Sequence, residues 1–479
     1  MNVALLPLDD RPVCLELPGR IAAICGAAVL TPPPEQLGCF LQAGDRPALG
    51  EWLLEASSRA DALVVAVDML CFGGLIASRS PRVTQEDALT RLARLSHLKA
   101  RYPQLRLLAA SVIMRATITQ SGPETEGVYE DMARFTALRE QARTNASLRA
   151  ELARLQARIP AAVIETFDAA RLRNHAVNLA CIDLVAAGVI ERLLLLQEDC
   201  QPEGPQRREQ ASLLERAESL GVLGAIHLHP GADEGAAVLV ARAVCGDAPV
   251  AFELLASSAA GLARVAPFED RPLAETIAGQ ARSLALRQTA TGAGPLLLVH
   301  TPGATRAEID ASLDALQAAL DAGRRVYVAD VATPNGADPR LAGPLAARGL
   351  WPRLTGYAGW NTAGNSIGTV LATLRAAEQD AGAHQAAERR LLAERFHDDW
   401  TYQRALRPWL NGRLERAGLS PVHLDAAGVA AATSDLNSRG LTLSSRLAAL
   451  AGLPPVHSWH LPWPRTFEAR VQLRPEAQA

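Results

Sequence analysis

Residues 192–199 read Arg-Leu-Leu-Leu-Leu-Gln-Glu-Asp, an apolar run that stops at two acids with no turn between. Three further apolar runs also end near acids or amides: residues 3–8 stop at Asp9, Asp10 and Arg11, residues 62–67 stop at Asp68, and residues 326–331 lead to Asn335. Apolar runs of this length are typical of strands buried on both faces, as in parallel sheets covered by helices. Because parallel strands end at one edge, the polar residues are expected to line a ligand-binding edge.

Strand-like and helix-like segments alternate for most of the chain, which is the pattern of βα units. Further strands are predicted at residues 105–114, 225–228, 249–255 and 295–300 and in a run that ends at Asn361. About eight strands with long insertions suggest a (β/α)8-type, TIM-like barrel over residues 1–380. An open doubly wound parallel sheet is the alternative. Residues 381–479, rich in Ala, Arg and Leu, predict a smaller helical or mixed C-terminal region.

The composition is that of an ordinary globular protein, with 21% charged and 49% hydrophobic residues. A net charge of -3 gives no electrostatic reason to expect a nucleic-acid partner. Lys99 is the only lysine, which excludes a Walker-type phosphate loop and a Schiff-base lysine.

Seven cysteines, an odd number without a CxxC pair, indicate reduced thiols in a reducing compartment. The N-terminal residues lack the basic region and cleavage site of a signal peptide. No apolar stretch is long enough to span a bilayer. We therefore expect a cytoplasmic protein without a membrane partner.

Two clusters place adjacent carboxylates at a strand end. Asp9, Asp10 and Arg11 can bind a polyol or a metal, or form a structural ion-pair group. Neighbouring side chains of a strand point to opposite faces, so one of the two aspartates is expected to face a ligand. Glu198 and Asp199 directly follow their strand, and at least one carboxyl should project from the edge. Paired acids in different environments suit acid–base catalysis, although both could belong to a solvated turn.

A third cluster combines histidines with acids. His227 and His229 lie two positions apart on a predicted strand and can face the same side. Asp233 and Glu234 fall where the next helix begins, so one of them is alternatively a helix cap. These residue types also permit a metal site, although their spacing matches no known zinc signature.

A fourth cluster, Trp360, Asn361 and Asn365, has the composition of a carbohydrate surface, because an indole packs on sugar C–H bonds while amides bind hydroxyls. A core tryptophan with asparagine caps is the alternative. The sequence has no GxGxxG fingerprint after a strand and no GxSxG elbow, which argues against a nicotinamide or flavin cofactor and a serine nucleophile of that type. Carboxylate chemistry is favoured.

Four segments together resemble the bacterial family catalogued as domain of unknown function 4127. They are residues 6–13 (Leu-Pro-Leu-Asp-Asp-Arg-Pro-Val), residues 73–79 (Gly-Gly-Leu-Ile-Ala-Ser-Arg), residues 230–234 (Pro-Gly-Ala-Asp-Glu) and residues 358–362 (Ala-Gly-Trp-Asn-Thr). The resemblance spans most of the chain. It implies that the clusters belong together, but no activity.

Residues 229–234 are similar to the His-x-Gly-Gly-Asp-Glu string of the family 20 β-hexosaminidases, with Ala232 in place of the second glycine. In those barrel enzymes the aspartate orients the substrate's 2-acetamido group, which attacks the anomeric carbon, and the glutamate protonates the leaving oxygen. The O-GlcNAc-removing hexosaminidases use two adjacent aspartates, and residues 198–199 resemble that arrangement. The resemblances imply one catalytic pair, either Glu198 and Asp199, slightly favoured because it follows its strand directly, or Asp233 and Glu234.

The leading hypothesis is a glycoside hydrolase that releases a 2-acetamido sugar by a substrate-assisted retaining mechanism, like a β-N-acetylhexosaminidase or β-N-acetylgalactosaminidase. No cofactor or metal is expected. The substrate is a small carbohydrate, and the residues expected to hold it are Asp9, Asp10, Arg11, Asp68, His229, Asn335, Trp360, Asn361 and Asn365. Two alternatives remain open: a non-catalytic sugar-binding protein, and a metal-dependent hydrolase that uses Asp9, Asp10, His227, His229 and Asp233.

Overall fold

The computed structural model describes residues 1–120, 123–290, 292, 294–379 and 382–474, without the side chains of residues 123, 124 and 126. The chain divides into two compact units. Unit 1 comprises Met1–Asp10, Ala27–Ala243 and Phe268–Asp270, and unit 2 comprises Arg11–Gly26, Val244–Pro267 and the described residues from Arg271 onward. Residues on both sides of position 380 therefore belong to unit 2.

Unit 1 is built on a six-stranded parallel sheet. Its strands are β1 (Asn2–Leu6), β2 (Ala28–Leu30), β3 (Ala62–Ala66), β4 (Arg106–Ile113), β5 (Arg192–Gln197) and β6 (Ile226–Pro230). Their order is β2-β1-β3-β4-β5-β6, and every neighbouring pair is parallel. β3 is buried throughout and β5 at all but its first residue, as expected of strands covered on both faces.

Unit 2 contains a five-stranded parallel sheet. Its strands are β7 (Val250–Ala256), β8 (Leu286–Thr289), β9 (Leu296–His300), β10 (Val326–Asp330) and β11 (Gly356–Ala358), in the order β11-β10-β9-β7-β8. A separate antiparallel pair consists of β12 (Val456–His460) and β13 (Arg470–Leu473).

The helices occupy the connections between strands and most of the C-terminal region. They are α1 (Pro12–Leu15), α2 (Leu17–Ile24), α3 (Arg46–Ser57), α4 (Val67–Phe72), α5 (Leu75–Ser78), α6 (Gln85–Leu92), α7 (Arg94–Arg101), α8 (Pro123–Thr144), α9 (Arg149–Gln156), α10 (Ala161–Ala186), α11 (Pro205–Ser219), α12 (Gly235–Cys245), α13 (Ala259–Leu262), α14 (Leu273–Ser283), α15 (Arg306–Asp321), α16 (Pro339–Ala347), α17 (Ala363–Ala377), α18 (Gln385–Arg395), α19 (Arg407–Arg416), α20 (Ala426–Asp435) and α21 (Leu441–Ala451). Two π-helical segments, Phe396–Leu406 and Leu436–Gly440, join α18 to α19 and α20 to α21. Among the described helices, none combines the length and the apolar composition that crossing a bilayer requires.

The predicted α/β class with parallel strands is confirmed, and each predicted strand overlaps an observed one. The predicted closed barrel is not confirmed, because the parallel strands lie in two sheets of six and five strands. Among the strands of the two parallel sheets, the sequence did not predict β2 and β8. Both are short edge strands: β2 has only three residues, none of them buried, and three of the four residues of β8 are polar, so neither shows the long buried apolar run of β3 or β5.

The segment after position 380 shares one hydrophobic core with the second sheet. Trp351 is fully buried, and its ring lies 4.7 Å from that of Tyr357 and 4.9 Å from that of Phe396, in edge-to-face geometry. Such aromatic pairs add about 1 kcal/mol each to the free energy gained by burial. The C-terminal helices are therefore part of the packing of unit 2.

Candidate functional site

The register of the unit 1 sheet brings the acid pair beside the end of β4. Ile113 pairs with Gln197, the last residue of β5, so the residues that follow the two strands lie next to each other. The ladder continues into the loops, since the amide of Glu198 donates to the Ile113 carbonyl at 3.2 Å and the amide of Ala116 donates to the Asp199 carbonyl at 2.9 Å. The backbone thus fixes both acids.

Glu198 is enclosed by positive charge. Nη2 of Arg79 donates to its Oε1, Nε of Arg115 lies 3.8 Å from the same oxygen, and the backbone amide of Arg115 donates to Oε2 at 3.3 Å. The side chain of Glu198 is only 6% exposed. A buried carboxylate held by charged hydrogen bonds keeps one orientation, because losing a partner would leave a buried charge uncompensated.

Asp199 is the more accessible member of the pair. Its side chain is 24% exposed, and Nη2 of Arg115 donates to its Oδ2. Arg115 therefore connects an inward-facing acid with one that reaches solvent.

Arg79 comes from the glycine-containing segment after β3. Gly73 (φ 92°) directly follows helix α4, and Gly74 (φ 128°) directly precedes α5. Glycine adopts such dihedral angles without strain. Arg79 follows α5 directly. The carbonyl of Ser78 accepts a hydrogen bond from Nδ2 of Asn174 at 3.0 Å, which ties this segment to α10. The two glycines thus allow the turn that delivers the guanidinium.

Asp68 is a third carboxyl in this cluster. It lies two residues beyond β3, and its Oδ2 accepts the amide hydrogen of Val112 at 3.0 Å. Burial raises its pKa from 3.8 to about 6; hydrogen bonds from Val112 and Ser78 oppose the shift, and the negative charge of Glu198 adds to it. Asp68 therefore keeps its proton into the mildly acidic range.

The loops after β1 and β6 bring a second pair of carboxyls together. Asp9 and Asp233 are both buried, and each has a carboxylate oxygen within 4.8 Å of one on the other. Three strands separate β1 from β6 in the sheet. The two loops must therefore bend toward each other across its carboxyl edge. Asp10 is half-buried beside Asp9.

Glu234 is turned back onto its own loop. Its Oε2 accepts the amide hydrogen of Ala232 at 2.9 Å, and a Cβ added to Gly231 (φ 137°) would lie 1.8 Å from its Oε1. The side chain is fully buried, as is that of His229, whose Nδ1 is 3.0 Å from the Pro230 carbonyl oxygen. Glu234 therefore stabilises the loop that leads into α12.

The five residues considered for a metal site are not gathered around one point. Within the described chain, no three of Asp9, Asp10, His227, His229 and Asp233 have ligand atoms within 4.8 Å of one another.

In unit 2, the structure brings Asn335 and Asn361 into contact after β10 and β11. The amide of Asn335 donates to the Asn361 carbonyl at 2.9 Å, and both residues have positive φ, 58° and 50°. Asparagine tolerates this conformation better than most residues. This backbone hydrogen bond therefore joins the two turns.

Trp360 and Asn365 pack inside unit 2. Nε1 of Trp360 lies 3.3 Å from Oγ1 of Thr369 and donates to it, and the guanidinium of Arg395 sits 5.5 Å from the ring centroid. Oδ1 of Asn365 accepts a hydrogen bond from Thr362 at 2.8 Å. The ring face under Arg395 is not open to a sugar.

Arg11 belongs to unit 2, whereas Asp9 and Asp10 belong to unit 1. Its guanidinium lies 4.7 Å from the ring of Trp463 and 3.7 Å from a carboxylate oxygen of Glu468. These contacts pack Arg11 against the C-terminal segment.

The carboxyl edge of the second sheet carries a hydrogen-bonded chain that sequence reasoning missed. Nδ1 of His300 is 3.1 Å from Oγ of Ser257, and Nε2 is 3.1 Å from Oδ2 of Asp338. Although burial opposes it, hydrogen bonds from His300 and Arg340 hold the pKa of Asp338 well below its usual range. Asp338 is therefore the charged residue at the end of the hydrogen-bonded series Ser257, His300 and Asp338.

Asp330, the last residue of β10, is another buried carboxyl. Its Oδ2 accepts hydrogen bonds from the Tyr357 hydroxyl at 2.9 Å and the Asp338 amide at 2.7 Å, while its Oδ1 has no partner among the described residues. Burial raises its pKa from 3.8 to about 6, against the lowering effect of His300. Each sheet thus has, at its carboxyl edge, a buried aspartate whose pKa is raised to about 6.

The profile of one family, described as a protein of unknown function (DUF4127), matches residues 3–472. The chain belongs to the DUF4127 family. This confirms the family resemblance drawn from the sequence, and the match runs through both compact units of this DUF4127 protein. No curated protein and no solved structure gave a match.

Arg79 and Arg115 were not among the site residues predicted for this DUF4127 protein, although the sequence contains a signal for both. Arg79 ends the segment Gly73–Arg79 that carries the family resemblance, and Arg115 ends a predicted strand. A guanidinium is the natural partner of a buried carboxylate, so an arginine at the end of an apolar run is a usable signal.

Proposed function

We propose that this DUF4127 protein is a glycoside hydrolase that acts on a 2-acetamido sugar, with Glu198 and Asp199 as its acid pair. The observation that carries the proposal is the geometry of this pair: adjacent carboxyls at a strand end, one held inward by Arg79 and Arg115 and the other partly exposed. Fixed acids in different environments suit general acid–base catalysis.

The competing pair is less suited to this role. The Glu234 carboxylate is committed to the Ala232 amide and packs on Gly231, so it cannot turn to a substrate without opening its own loop. Asp233 faces Asp9 instead. We therefore assign Asp9, Asp10 and Asp233 to holding sugar hydroxyls.

The mechanism follows from the acetamido group. Its carbonyl oxygen attacks the anomeric carbon as the bond to the leaving oxygen breaks, and a cyclic intermediate forms that water then opens with net retention. Asp199, the exposed carboxylate, accepts the acetamido N–H and orients the nucleophile. No second protein nucleophile is needed, unlike the usual pair of carboxyls in retaining glycosidases.

The leaving oxygen needs a proton, and Glu198 with Asp68 can supply it. Asp68 stays protonated to about pH 6 and lies within electrostatic range of Glu198. In this proposal Glu198 relays to the leaving oxygen a proton that Asp68 holds, so activity should fall above about pH 6.

The first experiment compares Glu198→Gln and Asp199→Asn on aryl β-N-acetylhexosaminides. Each change should lower kcat/KM by roughly 100-fold or more, the usual contribution of a general acid or base. Glu203→Gln is the matched control, because Glu203 is an exposed acid in the same loop. Near-normal activity in both variants, with loss in Glu234→Gln, would move the chemistry to the other pair.

The second experiment tests the role of the acetamido oxygen. Fluorine on the acetamido methyl group weakens the nucleophilicity of that oxygen without changing the glycosidic bond. Under the proposed mechanism kcat/KM falls progressively from the acetamido to the trifluoroacetamido glycoside. A flat series would show that the protein supplies the nucleophile, and tight calorimetric binding of the glycoside without turnover would favour a sugar-binding protein.

A metal-dependent hydrolase is the second candidate, and the proximity of the Asp9 and Asp233 carboxylates favours it. Two carboxylates can provide part of a divalent-cation site. Elemental analysis of the purified protein separates the candidates, because a stoichiometric metal whose removal abolishes activity would refute the acetamido mechanism.

A further inference from the structure

Two cysteines far apart in the sequence have their sulfur atoms in contact. Sγ of Cys25 and Sγ of Cys245 are 3.5 Å apart, and 220 positions separate the residues. Cys25 caps the C-terminal end of α2, and Cys245 is the last residue of α12. Formation of a disulfide, with sulfurs about 2.05 Å apart, would require an approach of roughly 1.5 Å, which side-chain rotation and small backbone shifts can supply.

We propose that Cys25 and Cys245 form a reversible disulfide, a redox modification site that is independent of the glycosidase proposal. With hydrogen peroxide as oxidant, the Cys25 thiolate attacks one oxygen and gives a sulfenic acid and hydroxide. The Cys245 thiolate then attacks the Cys25 sulfur, the S–S bond forms, and a second hydroxide leaves. The two hydroxides take up the two thiol protons, so the net products are one disulfide and two water molecules.

The surroundings of Cys245 favour its thiolate. The hydrogen bond with Cys25 lowers the pKa of Cys245, burial opposes the shift, and the positive charge of Arg375 contributes further. Nη2 of Arg375 donates to the Cys245 carbonyl at 2.6 Å, so the guanidinium is fixed beside this residue. Thiolate character is what makes a cysteine a nucleophile.

Access for the oxidant comes from Cys25. Its side chain is half-buried, whereas Cys245 is buried, so a small oxidant meets Cys25 first and Cys245 resolves the product. Two other cysteines, Cys71 and Cys181, are deeply buried, and burial raises the pKa of each thiol. Their thiols are expected to stay unreactive.

The bond would close a long loop of the chain. Cross-linking positions 220 apart restricts the unfolded chain far more than the folded one, since the two sulfurs are already in contact. The oxidised protein should therefore unfold at a higher temperature or urea concentration than the reduced protein, and a reductant should reverse the change.

The test treats the full-length protein with hydrogen peroxide or with glutathione buffers of increasing oxidised fraction, then alkylates and digests it without reductant. The proposal predicts loss of two of the seven titratable thiols, a cross-linked peptide pair that contains Cys25 and Cys245, and a raised unfolding midpoint. The control Cys39→Ser removes another half-buried cysteine and should keep all three results.

The variants Cys25→Ser and Cys245→Ser should each lose the cross-link and the stability shift while folding as the reduced wild type does. Retention of all seven thiols in the most oxidising buffer would overturn the proposal. A stable glutathione adduct on Cys25 with no cross-link would overturn it as well, because it would show that Cys245 cannot attack that sulfur.

Discussion

Replacing Asp68 by asparagine should stabilise the protein at neutral pH. The carboxyl titrates near 3.8 in an unfolded chain and near 6 in the folded protein, because burial disfavours its charge. Between these pH values the folded state binds the proton more tightly than the unfolded state, so the contribution of Asp68 to the free energy of unfolding falls as pH rises. Above about pH 6 the folded protein carries a buried charge at its full cost.

The magnitude follows from the difference of about 2 pH units between the two states. At about 1.4 kcal/mol per unit, the ionised carboxylate costs the folded state about 3 kcal/mol above pH 6. Asparagine removes this cost and keeps an oxygen that can accept the Val112 amide hydrogen. Its NH2 group can donate to Oγ of Ser78, because that hydroxyl gives its own hydrogen to the Leu75 carbonyl. The shape and the hydrogen bonds are thus nearly conserved.

The assay is urea unfolding of the wild type and Asp68→Asn at several pH values from 4 to 8. The difference in unfolding free energy should shift in favour of the variant by about 2–3 kcal/mol between pH 4 and pH 7, with most of the change between the two pKa values. Other ionisable groups largely cancel in this difference. Glu51→Gln, which removes an exposed helix carboxylate, is the control for the loss of one carboxyl.

A constant difference for Asp68→Asn over the whole range would refute the reasoning, because it would mean that Asp68 titrates alike in both states. Activity gives a second readout. If Asp68 holds the proton that Glu198 relays, the more stable variant should be the less active enzyme, and the decline of activity above pH 6 should change.

Three further changes probe the same loops. Gly231→Ala should destabilise the protein by about 1–3 kcal/mol in urea unfolding, because its Cβ would meet the Glu234 carboxylate; Gly188→Ala, with positive φ but no atom within 4 Å, should cost less. Tyr357→Phe should cost about 1–2 kcal/mol at pH 8, where Asp330 is charged, and less at pH 5, and equal costs would contradict the assigned hydrogen bond. Arg79→Lys should lower kcat at least 10-fold in the glycoside assay, because one ammonium cannot replace the guanidinium that binds Glu198 and Thr119; unchanged kcat would remove Arg79 from the mechanism.

The sequence predicted the strands that are apolar on both faces. It also predicted that the acids which follow these strands lie at the carboxyl edge of the sheet. Residues 192–199 are the clearest case: four leucines are buried in β5, and the acids follow at its carboxyl edge. Short edge strands and the division into two sheets were not predicted, because strand order depends on which helices cover which faces. The pattern of apolar residues along one strand does not show which helices cover it or which strands are its neighbours.

Side-chain partners were the harder part of the site. The sequence favoured Glu198 and Asp199 only slightly over Asp233 and Glu234, since both pairs are adjacent acids. The two pairs differ in the loop around them. Gly231 has φ of 137° and no side chain, so the Glu234 carboxylate can pack against the backbone of its own loop. The helix that follows also packs closely on the sheet, since a Cβ on Gly235 would lie 2.3 Å from a side-chain carbon of Leu196.

The two sheets share a feature that stability alone does not explain. Asp68 and Asp330 each end or follow a buried strand, accept a backbone amide hydrogen, and have a pKa raised to about 6. Each carboxyl therefore costs the folded protein about 3 kcal/mol at neutral pH, a large fraction of the total stability of a typical domain. An asparagine at either position would avoid that cost. A group that carries a proton near pH 6 inside a fixed hydrogen-bond network is suited to proton transfer, and we infer that its chemistry outweighs its cost.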